Sequence, residues 1–131
     1  MAIVAIAGPA TNFLLTILAV PFVSLSLVLS GKYNFPYLTQ FFTLFLVMNI
    51  GFALFNLLPI PPLDGSRILA FFLPPALYNQ YLRYERYAFI ILIILMFTGI
   101  FNGIFSAMIN FAINILGTPI YFIYDILINV I

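Results

Sequence analysis

Three long apolar stretches, at about residues 9–29, 38–58 and 87–116, constrain what this chain can fold into more than any other feature. A helix needs about 20 predominantly apolar residues to cross the hydrocarbon core of a bilayer, and each stretch is long enough. Four basic and three acidic side chains serve 131 residues. A soluble domain carries about a quarter of its residues charged, so this chain cannot clothe a globule in polar surface. The expected class is all-α: a polytopic transmembrane helical protein, one membrane domain over residues 1–131, with the lipid bilayer as its first partner.

The same composition closes several other routes. There is no cysteine, which removes disulfides, thiolate metal sites and cysteine nucleophiles. There is no histidine, the commonest zinc ligand and general base. Four dispersed basic residues form no nucleic-acid footprint. Tryptophan is absent, so Tyr and Phe must supply any interfacial aromatic belt. Met1 opens directly into an apolar run, with no basic region before it and no clean cleavage site after it, unlike a secretory signal peptide. The chain reads as if joined midway, and the expectation is a fragment.

Turn formers mark the boundaries. Residues 2–8 read as a turn before a first span kinked near Pro21. Residues 30–36 form a loop, and Pro59, Pro61 and Pro62 stop the second span. A short helix is expected after Asp64-Gly65, over about Ser66 to Leu73. The segment with Tyr78, Tyr81, Arg83, Tyr84, Glu85 and Arg86 has the chemistry of a membrane interface. Asn102-Gly103 interrupts the third stretch, leaving open one tilted helix or a span plus a half-helix. Gly117-Thr-Pro119 should break the pattern and leave an interfacial tail with Asp125. Arg67, Arg83 and Arg86 against a lone Lys32 put the Asp64–Arg86 side toward the cytoplasm.

Asp64 is the residue with the strongest functional signal. A carboxylate in hydrocarbon-compatible sequence costs several kcal/mol, and its default reading is functional. The alternative is an N-cap for the short helix, with Arg67 at hand for pairing. From the residues alone both readings stand. Asn49 and Asn56 share a helix face and point to protein or water rather than lipid, Asn49 chiefly as an interhelical hydrogen-bonding group. Irregular backbone such as the proline run is tolerated at membrane depth only inside protein or beside a water-filled cavity.

The stretch Asn56-Leu-Leu-Pro-Ile-Pro-Pro-Leu-Asp-Gly65 closely resembles the second signature of the site-2 protease family of intramembrane zinc metalloproteases. In that family an Asn-x-x-Pro-x-x-x-Leu-Asp-Gly element carries the aspartate ligand of a catalytic zinc. Ala7-Gly-Pro-Ala-Thr-Asn12 is similar to the family's Gly-Pro-x-x-Asn stretch, in the right order and at a fitting separation. The resemblance implies that Asp64 is the third zinc ligand, that Asn12 contacts substrate backbone or developing oxyanion charge, and that Asn56 lies close by. Asn12 as a cap or helix contact, and Gly8 as a point of close helix approach, are the plainer readings.

The departure from the family is as informative as the match. Its first signature, His-Glu-x-x-His, supplies two ligands and the general base, and no histidine exists here. A catalytic zinc takes three protein ligands and a water. The resemblance therefore implies the C-terminal, zinc-aspartate half of an intramembrane metalloendopeptidase, inactive alone and not retaining zinc. Its expected partners are a membrane-protein substrate and a separate His-Glu-x-x-His-bearing segment. A catalytically dead scaffold or regulatory module is the alternative, and a small transporter subunit with Asp64 as an ion relay is a weaker one.

Overall fold

The computed structural model describes residues 2–130, without the side chains of residues 2, 3, 75, 76, 78, 79 and 82–86. All its regular elements among these are helices: α1 (Ala2–Tyr33), α2 (Pro36–Asn56), α3 (Asp64–Phe72), α4 (Pro75–Phe97) and α5 (Ile100–Val130). Three are long and apolar enough to cross a membrane, over Val4–Tyr33, Pro36–Asn56 and Ile100–Val130.

α1 is the central helix, and α2, α3 and α5 all pack on it. Its sequence suits that place. Ala19, Val20 and Val23 meet Leu46 of α2 in a small core, flanked by Leu116 and Ile120 of α5. Lipid is as apolar as Leu, so helices in a bilayer associate through close packing and hydrogen bonds rather than by apolar burial. Ser24 is fully buried and does both, its one hydroxyl proton shared between Val20 O in its own helix and Ile120 O of α5 at 2.9 Å. Thr39 of α2 donates to Ser26 O of α1 at 3.0 Å. Such interhelical bonds average about 0.6 kcal/mol each. Around the bundle Val4, Leu14, Tyr37 and Phe111 stand exposed, as a lipid-facing surface requires.

The termini follow local chemistry. Asn34 takes a left-handed conformation (φ 58°) to end α1, its N–H donating to Ser30 O, and Pro36 opens α2. A proline likewise opens α4.

Three sequence expectations change. Residues 2–8 continue α1, and its Pro9, among the most buried side chains, lies inside the helix. The third apolar stretch divides at Thr98-Gly99, not at Asn102-Gly103. Gly99 adopts φ 76°, the conformation that closes a helix C-terminus at no steric cost, while Gly103 stays helical. Finally, α5 runs through Pro119 to Val130. Leu116 before the proline and Ile120 and Ile123 after it pack on the α1–α2 core, and that docking holds the helix together across the missing donor.

Candidate functional site

The turn between α2 and α3 builds the site. Leu57 N–H donates to Ala53 O and Leu58 N–H to Phe55 O, completing the end of α2. The prolines then turn the chain, with Leu63 N–H donating to Ile60 O at 3.0 Å. Tyr81 of α4 reaches across and donates to Pro59 O at 3.3 Å, tying α4 to the loop.

Leu63 is the N-cap of α3, in extended conformation, and no side chain caps the helix. Asp64 is its first residue, where the positive end of the helix dipole favours a carboxylate. Ser66 Oγ donates to Leu63 O at 2.6 Å. Asp64 is thus not the N-cap, and among the described residues it makes no ion pair with Arg67, which is exposed. Asp64 itself is half-buried.

That carboxylate lies against α1. A Cβ built on Gly8 would stand 3.1 Å from Asp64 Oδ2, so the helix surface at Gly8 is the wall of the site. Asn12 is one turn further along the same face of α1 and is half-buried. Asn56, also half-buried, ends α2 immediately before the Leu57 carbonyl that abuts Gly65. The fold therefore brings Gly8, from one end of the chain, to Asp64 in the middle, with Asn12 one turn along α1 and Asn56 next to the Leu57 carbonyl at Gly65. Asn49 stands apart. It is buried, and its Nδ2 donates to Phe45 O of its own helix at 2.8 Å, so that bond is intrahelical rather than the expected bridge between helices. Gly8's contact with the carboxylate and Tyr81's hold on the loop are features that the sequence did not announce. Both are long-range, and neither has a local signal.

Zinc does not fit the donors that this chain provides. No group of three His, Cys, Asp or Glu exists among the described residues. Asp125 lies toward the other end of the bundle, because α5 meets α1 at Ser24 through Ile120. At 1.5 Å per residue, residues 8 and 24 of α1 are roughly 24 Å apart. The Glu85 side chain lies outside the described residues, as do those of Arg83 and Arg86. With no histidine or cysteine in the chain, Asp64 offers one coordination position where a catalytic zinc takes three.

The model of Peptidase family M50 matches residues 24–99, a segment that contains the whole α2–α3 turn. A Bacillus subtilis (strain 168) protein named "Putative zinc metalloprotease YwhC" is 34% identical over 115 residues, covering 82% of this chain and 51% of that protein. The chain thus spans about half the length of the curated relative it matches. No solved structure matches it significantly.

Proposed function

This chain belongs to Peptidase family M50, the site-2 protease family, and on that premise we propose that it is the aspartate-bearing half of an intramembrane metalloendopeptidase, without activity by itself. One observation carries the reading: Asp64, which is not the cap of α3 and makes no ion pair among the described residues, is set against Gly8 of the central helix at the irregular turn between α2 and α3. On this reading the carboxylate completes a metal site whose other ligands come from a histidine-bearing segment. Asn12, one turn from Gly8, is placed to hydrogen-bond a substrate backbone beside it. Asn56 ends α2 next to the Leu57 carbonyl that abuts Gly65. The substrate class is a membrane-spanning polypeptide.

The metal expectation is tested directly. Purified in detergent, the chain should hold far less than one zinc per molecule by elemental analysis, because an incomplete ligand set loses the metal to water. Near-stoichiometric, tightly held zinc would overturn the half-site reading. The lack of any histidine favours a second reading, a scaffold or regulatory module on the same fold. Co-expression with a His-Glu-x-x-His-bearing segment separates the two, since only the half-enzyme gains proteolysis.

We also place the Asp64 side toward the cytoplasm. Lys32 lies at the end of α1 opposite to Gly8 and Asp64, so Lys32 and Arg67 mark opposite membrane faces. In oriented vesicles, Arg67→Cys should react with an impermeant maleimide from the cytoplasmic side and Lys32→Cys from the other. The reverse pattern would overturn the orientation.

A further inference from the structure

Among the described residues the outward face of α5 has no partner within the chain. Its inward face is accounted for: Phe101 and Phe105 pack edge-on against Phe55 of α2, and Leu116 and Ile120 flank the core. On the opposite side Gly103, Ala107, Asn110, Asn114, Gly117 and Tyr121 follow one another at alternating spacings of four and three residues. That is the spacing of a helix–helix seam. Ala107, Asn110 and Asn114 are exposed. Beyond its own turns of helix backbone, no described heavy atom lies within 4 Å of a Cβ built on Gly103, and on Gly117 only the Tyr121 ring comes as near as 4.0 Å. Packing among the described residues explains neither glycine.

The two asparagines decide what covers this face. They sit near the middle of a span of 31 residues, where lipid offers a carboxamide no hydrogen bond. Polar side chains in spans turn toward protein or water. We propose that a second copy of this chain packs on the outward face of α5, forming a two-fold dimer about an axis along the membrane normal. Two copies inserted with one topology present their α5 helices parallel and at equal depth. Each seam residue then faces its counterpart. A carboxamide has both a donor and an acceptor, so Asn110 and Asn114 each satisfy their counterparts with no other chemistry. Gly103, Ala107 and Gly117 let the backbones approach closely around them. Any other occupant would need its own polar groups at those two depths. The inference does not rest on the protease reading, since Asp64 lies at a different site.

The chain has no cysteine, so single cysteines report proximity without background. In native membranes containing the full chain, oxidation of Ala107→Cys and Tyr121→Cys should give a disulfide-linked product of twice the chain mass. Ile115→Cys, exposed but off the seam, should give none. Adding Asn110→Leu and Asn114→Leu to Ala107→Cys should weaken dimerisation about tenfold, read as lost cross-linking and lost energy transfer between labelled copies in detergent. Leu favours both helix and lipid, so the altered chain keeps its spans. Three results would each overturn the proposal: cross-linking from Ile115→Cys equal to that from the seam, an undiminished dimer after both Leu substitutions, or an adduct with a different polypeptide.

Discussion

Asp64→Asn should reduce membrane proteolysis more than about 100-fold once the chain is joined to, or co-expressed with, a His-Glu-x-x-His-bearing segment. Changes to groups that only support a metal ligand already cost about 10–100-fold, and losing the ligand itself should cost more. The carboxamide that replaces the carboxylate is neutral and a poor zinc ligand. Asp64→Glu should also lose most activity. One added methylene moves the carboxylate further than a site held to about 0.5 Å can absorb, and the Gly8 surface allows it little room. A capping role predicts the opposite, because Asn is as good an N-cap as Asp. The cap position of α3 belongs to Leu63, which already speaks against that role. Cleavage of a reporter substrate by the paired halves measures the effect, and full cleavage by the Asp64→Asn form would remove Asp64 from the site.

The second large effect is expected at Gly65. A Cβ there would come within 2.5 Å of Leu58 O and closer still to the Leu57 carbonyl. These are backbone atoms fixed by the end of α2 and by the proline turn, so they cannot swing aside as a side chain would. Gly65→Ala should therefore destabilise the chain by about 1–3 kcal/mol, the usual cost of forced overpacking, and should push α3 and its carboxylate away from α1. Gly31→Ala is the control. Nothing lies within 4 Å of its added methyl, and it sits within a helix, where Ala is better than Gly by about 0.5–1 kcal/mol. Thermal unfolding in detergent should show a lower midpoint for Gly65→Ala and an unchanged or higher one for Gly31→Ala. Equal midpoints for Gly65→Ala and the unaltered chain would mean that the α2–α3 turn is not packed as described.

The proline run shows how the two levels of information divide. Composition and run length alone point to a helical membrane protein, because lipid admits only helices and closed barrels and continuous apolar runs of about 20 residues fit helices. The ten residues from Asn56 to Gly65 likewise mark the carboxylate and the break that presents it, since both are local features. What the sequence could not show is where that carboxylate goes. Its placement against Gly8 depends on α3 folding back onto α1, a contact between segments more than fifty residues apart.

The same division explains the misplaced helix break. Asn102-Gly103 and Thr98-Gly99 are both plausible stops by residue type. Tertiary packing chooses between them, because Phe101 and Phe105 must already be helical to stack on each other and pack edge-on against Phe55. Pro119 follows the same rule: locally it is a breaker, but the contacts of Leu116, Ile120 and Ile123 with the core outweigh the lost hydrogen bond. By itself, then, the sequence determined the apolar solvent and the helical class and singled out Asp64 as the candidate carboxylate, all of which follow from residue chemistry within a few turns of chain. Only the tertiary structure decided which glycine ends α4, which helix face stays open on α5, and which wall Asp64 rests against, because each depends on groups distant in sequence competing for the same space.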